Sequence, residues 1–193
     1  LAETGDDAIV DWVLVELRSS VTPTSIIATR AALVQRDGDV VAEDGRSPIA
    51  LLAPAGNYLV AVRHRNHLGV MTAAPAALTT STTSIDLTNT GFATYGTAAQ
   101  KTIGSKNMLW AGNVWRDVVA PYGLRYTGSL NDRDPILLAI GGSVPTATTT
   151  GYRSEDVNMD GMVRYTNADN DRDPILVNIG GSVPTNIRIE QLP

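Results

Sequence analysis

Asp156-Val157-Asn158-Met159-Asp160-Gly161, followed by Arg164-Tyr165-Thr166 and Asn170-Asp171-Arg172-Asp173-Pro174-Ile175-Leu176, is the stretch whose reading decides how the second half of this chain folds. Oxygen-bearing side chains at alternate positions 1, 3 and 5, with glycine at position 6, suit a hard cation around which the backbone must curl tightly. The spacing predicts a Ca2+ loop in which Asp156, Asn158 and Asp160 offer side-chain oxygens, Met162 its carbonyl, and Asp171 or Asp173 the closing carboxylate. Position 12, where a closing carboxylate is expected, is Asn167, so the loop is enlarged. An Asx-rich surface turn that binds nothing is the competing reading of the same residues.

The neighbourhood of this loop is duplicated. Asn131-Asp132-Arg133-Asp134-Pro135-Ile136-Leu137 returns at Asn170 with an offset of 39, Arg125-Tyr126-Thr127 returns at Arg164 with the same offset, and 14 of the 16 residues of 131–146 are identical in 170–185. A duplication of this length is one supersecondary unit used twice. Each copy carries Asp-Pro-Ile-Leu-x-x-Ile-Gly-Gly, which predicts a helix of about two turns with Asp134 or Asp173 as N-cap, Pro135 or Pro174 at the first position, and glycine past the end. Residues 136, 137 and 140, and their counterparts 175, 176 and 179, fall on one apolar face.

The first loop is less regular than the second. An ungapped offset sets Asp117 opposite Asp156 but Val119 and Pro121 opposite Asn158 and Asp160. A shifted register starting at Asn113 recovers Asn113 and Asp117, with Asp132 or Asp134 downstream, as a weaker first site.

The 193 residues accommodate two domains. Residues 1–95 read as short strands with turn punctuation. Asp11-Trp12-Val13-Leu14-Val15-Glu16-Leu17-Arg18 alternates Trp, Leu, Glu and Arg against Val, Val and Leu, as a half-buried strand does, and Asp37-Gly38 marks a hairpin. The class expected is mainly β: an immunoglobulin-like or prealbumin-like β-sandwich over 1–95, a Thr- and Gly-rich linker over 96–109, the duplicated loop-helix domain over 110–185, and a terminal strand or tail over 186–193. In that tail Ile187 and Ile189 alternate with Arg188 and Glu190, a strand pattern with no evident partner.

A net charge of −5 speaks against nucleic acid and against anionic membrane surfaces, and no apolar run is long enough for membrane insertion. With no cysteine, no disulfide staples the chain. His64 and His67 are the only histidines. On a strand, residues three apart point to opposite faces, so the pair would converge on one ion only if a turn intervened. No serine stands in a nucleophile elbow, and the carboxylates are concentrated where Ca2+ accounts for them, so the chain reads as a non-enzyme.

The 156–161 loop and its duplicated partner resemble the dockerin-type calcium repeat, a pair of short loop-helix units. Taken whole, the chain resembles the C-terminal region of large secreted bacterial surface proteins. There a β-domain carrying residues 11–18, 35–39 and 62–70 precedes Trp110-Ala111-Gly112-Asn113 and the Asn-Asp-Arg-Asp repeat. The resemblance implies an extracellular or cell-surface location and a small dockerin-like domain behind a β-domain. Two functions follow. One is a structural subunit of an extracellular fibre or adhesive layer, stabilised by Ca2+ and self-associating head-to-tail into a filament or surface layer by strand addition through residues 186–193. The other is a dockerin-like module of a secreted enzyme or adhesin that docks onto another surface protein.

Overall fold

Strand β1 (Ile9–Ser19) is the spine of the first half of the chain. It pairs antiparallel with β2 (Ile26–Gln35) on one side and β4 (Gly56–Arg63) on the other, with Leu14 between Ala31 and Arg63. Adding β3 (Val40–Val41), β5 (Val70–Met71) and β6 (Ala76–Leu78) gives a six-stranded antiparallel sheet in the order β3-β2-β1-β4-β5, with β6 also on β4. The Asp37-Gly38 turn joins β2 to β3, closed by the Gln35 N–H donating to Asp39 O at 2.8 Å with Gly38 at φ 100°. Described residues are 4–115 and 122–193 of a computed structural model, and they are mainly β.

The chain divides into two compact units. One comprises Leu1–His64, Gly69–Met108 and Gln191–Pro193, and the other Arg65–Leu68 and Leu109–Glu190. In the first unit, one sheet face buries Val13, Val15, Leu17, Ala32 and Val60 under Ile49, Leu51, Ala53 and Ile85. The other face buries Leu59, Ala61 and Met71 with Leu192 and Tyr95. Because Leu192 covers this second face, Glu16 and Arg18, which alternation puts on the solvent side, are buried. They survive there because every charge is answered. Arg18 bonds Glu16 at 2.7 Å, Arg63 bonds the other Glu16 oxygen at 2.9 Å, and Arg18 also donates to the carbonyls of Pro23 and Pro193. Residues 101–108, expected within a linker, form a hairpin of β7 (Lys101–Ile103) and β8 (Lys106–Met108) inside this unit.

The second unit repeats a strand-helix-strand element. Strand β9 (Gly123–Arg125), helix α1 (Arg133–Ala139) and β10 (Thr148–Thr150) are followed by β11 (Met162–Arg164), α2 (Arg172–Asn178) and β12 (Ile187–Ile189), each 39 residues on. The copies exchange strands: β10 pairs with β11, and β12 pairs with β9. The terminal strand expected to lack a partner therefore has one in its own chain, and beyond it Leu192 is buried in the first unit. Both helices begin two residues before the predicted start. Asn131 and Asn170, one residue before the N-caps Asp132 and Asp171, accept the N–H of Asp134 and Asp173 at 2.9 and 3.0 Å and donate to those carboxylates at 2.7 and 2.8 Å. The prolines thus sit in the first turn, where no N–H is required. Gly142 and Gly181 close the helices by donating to Leu137 O and Leu176 O, both at 2.8 Å. Ile136, Ile140 and Ile175 share a core with Val114, Val157 and Val163, and Ile179 packs with Leu68 and Leu124.

The strand exchange leaves no room on β9. A Cβ on Gly123 would lie 2.3 Å from Arg188 O, so Gly123→Ala is expected to lower the melting temperature by several degrees. Leu138→Ala, at a side chain 67% exposed, is expected to change stability by no more than about 0.5 kcal/mol. Thermal unfolding of the two variants checks this.

Candidate metal loop

The second loop curls as an oxygen-lined cup. Met159 at φ 61° and Gly161 at φ 85° take left-handed conformations, and Asn167 at 74° and Asp169 at 54° do so where the chain returns. Asp156, buried, accepts the N–H of Asp160 at 3.1 Å on one carboxylate oxygen and that of Gly161 at 3.0 Å on the other. Asn158 Oδ1 also accepts from Asp160 N at 3.0 Å, and its Nδ2 donates to Asp169 O at 2.7 Å. Asp160 accepts from Met162 N at 2.9 Å and pairs with the Arg164 guanidinium.

Asp171 has no exposed surface. One carboxylate oxygen accepts Val157 N at 2.7 Å and Asn158 N at 3.3 Å, and the other accepts Arg164 N at 2.7 Å. It ties the front of the loop to β11 through main-chain donors. Asp173 does not belong to the cup: it is exposed on the first turn of α2, held by Asn170 and 3.6 Å from Arg172. Among the described residues, no three His, Cys, Asp or Glu side chains converge into a metal cluster.

The described ends of the first loop follow the same plan. Asp132 accepts Trp115 N at 2.9 Å and Arg125 N at 2.8 Å, as Asp171 accepts Asn158 N and Arg164 N. Val114 shares a core with Val157, and on that correspondence Trp115 answers to Asn158 and Asn113 to Asp156, as at the start of the shifted register. Asp117 lies outside the described residues. Asp134 repeats Asp173, bonded to Asn131 and Arg133 on the helix. A tryptophan where the second loop has an asparagine removes one side-chain oxygen.

His64 and His67 lie past the end of β4 with a bend between them, so strand alternation does not govern the pair. His64 Nε2 lies 3.0 Å from Asp11 Oδ2, both buried, and His67 belongs to the other unit, its Nδ1 2.8 Å from Asn66 Oδ1. Against known proteins the chain matches no family model, no curated protein and no solved structure.

Electrostatics separates the loop carboxylates. Burial pushes the Asp171 carboxyl above its ordinary 3.8, and the Asp156 charge adds to this, although three main-chain N–H groups act against it. Desolvation of Asp160 is outweighed by Arg164 and the Met162 N–H, which hold it below 3.8. No cationic side chain pairs with Asp156 or Asp171 among the described residues, so these two neighbouring buried carboxylates are met by main-chain N–H groups alone. The donor set is all oxygen, charged and neutral, as Ca2+ prefers. Asp156, Asn158, Asp160 and the Met162 carbonyl would hold the ion, and it would neutralise the charge that Asp171 and Asp156 share.

The two shifts have opposite signs in stability. A folded pKa raised at Asp171 contributes stability that is present below 3.8 and lost as pH rises through the folded value; the lowered pKa of Asp160 contributes stability present above 3.8 and lost as pH falls through its folded value. In chelator, carbon-detected NMR titration is expected to place the Asp171 carboxyl midpoint above 3.8 and that of Asp160 below it. Saturating Ca2+ is expected to move the Asp171 midpoint downward.

Proposed function

We propose that this chain is a structural subunit of an extracellular bacterial fibre or adhesive surface assembly, with a dockerin-like second unit stabilised by Ca2+ behind an immunoglobulin-like or prealbumin-like β-domain. The observation that carries the metal part is the pair of buried carboxylates, Asp156 and Asp171, met by no cationic side chain among the described residues, inside an oxygen-lined loop. The mainly β first unit, with an antiparallel sheet packed against apolar residues of its own unit, is what supports a β-domain there.

Self-association does not run through residues 186–193 in this reading, because β12 is already paired with β9. Strand β2 offers an alternative edge. It meets β3 only at Leu33 and Val34, and Ile26 and Ile27 at its other end are exposed. Past β3 the edge carries Arg30, which bonds Ala50 O, so exposed Ile26 and Ile27 are the part of it that would meet another chain.

One observation favours a docking module as the second reading. The only two differences across the 16-residue duplication fall at 138 and 139 against 177 and 178, and of these Leu138 and Val177 are 67% and 59% exposed. Equivalent apolar side chains on two pseudo-symmetric helices suit a protein partner.

Adding Ca2+ to the chelated protein is expected to raise the melting temperature by mass action on the folded state, and Asp156→Ala to remove most of that gain. A melting curve indifferent to chelator overturns the metal reading. Light scattering at matched concentration separates the two functions. Growth of scattering without a partner supports the structural subunit, and a chain that stays monomeric in Ca2+ supports the docking module.

A further inference from the structure

The second unit takes four residues, Arg65–Leu68, from between β4 and β5, far upstream of the duplication. Arg65 lies over the Tyr152 ring, 4.5 Å from its centre, and donates to Arg153 O. Leu68 N donates to Trp110 O at 2.9 Å, and its side chain is buried with Leu124 and Ile179. Between them Asn66, which has no exposed surface, reaches the head of both loops. Its main-chain carbonyl accepts Gly112 N and Asn113 N, each at 2.9 Å. Its Nδ2 donates to Ser154 O at 3.1 Å and Asp156 O at 2.6 Å, and its Oδ1 is 2.8 Å from His67 Nδ1.

Asn113 and Asp156 are the first positions of their loops. One residue outside the repeat thus holds the first loop with its backbone and the second with its side chain. Both Nδ2 hydrogens are used, one of them on the carbonyl of the residue that heads the proposed ligand set. The orientation of that peptide fixes where the Asp156 carboxylate emerges, and groups that orient a metal ligand contribute to affinity without touching the ion. We infer that Asn66 is a positioning residue for the second-loop cation site and couples that site to the first loop. This rests on the Ca2+ reading above.

Three measurements on the full chain test it. In wild type, Ca2+ is expected to move the Gly161 amide, the Asn66 side-chain amide protons, and the Gly112 and Asn113 amides with one common midpoint by NMR. Calorimetric titration of Asn66→Ala is expected to give Ca2+ affinity weaker by about tenfold to a hundredfold, and Asn66→Asp, which sets an oxygen against two carbonyls, a loss at least as large. Leu68→Ala, which removes core packing but no contact with either loop, is expected to lower the melting temperature with affinity unchanged. A Gly161 amide that ignores Ca2+ overturns the metal reading and the inference with it. If Gly161 moves while the Asn66 side chain does not, or if Asn66→Ala binds as wild type does, the inference alone falls. Because the wild-type spectra need no variant, a substitution that failed to fold would leave that test intact.

Discussion

The second unit depends on a carboxylate that accepts main-chain N–H groups from both sides of a loop. Asp171 does this for residues 157–164 and Asp132 does it for 115–125. Each sits just before its helix and reaches back, so the helix start, the loop and the following strand are set by one side chain. With both oxygens engaged, the carboxylate is an anchor first. Its cost is a charge held out of water beside a second charge. The first loop has the same anchor with Asn113 in place of Asp156 and Trp115 in place of Asn158, so it carries less charge at its head.

A different solution to buried charge stands in the first unit. The Glu16 carboxylate accepts from both Arg18 and Arg63 across β1 and β4, and the Pro23 and Pro193 oxygens accept from Arg18 as well. Among the described residues, Asp156 and Asp171 are met by main-chain N–H groups instead of cationic side chains.

Much of this was legible in the residues. Alternation along 11–18 located β1, Asp37-Gly38 located a hairpin, and the 39-residue offset located both helices. The failures have physical causes. Alternation marks Glu16 and Arg18 as solvent-facing only if nothing covers that side, and the cover is Leu192, more than 170 residues away in the chain. Asp-Pro suggested the N-cap, but Asn131 and Asn170 three positions ahead of proline's neighbour compete better for the free N–H groups. Sequence identity between the copies stops at 146 and 185, so the equivalence of Thr148–Thr150 and Ile187–Ile189, and hence the strand exchange, left no trace in the residues. Asn66 contacts Asp156 across 90 positions, beyond the reach of any local motif.

The central claim is that the two loops share one scaffold and differ in charge, so that only the second retains a cation firmly. Native mass spectrometry of the intact chain, desalted after incubation with Ca2+, tests it most directly. The account predicts one retained Ca2+ per chain, lost on Asp156→Ala and kept on Asn113→Ala. No retained ion, or an ion lost on Asn113→Ala and kept on Asp156→Ala, would contradict it.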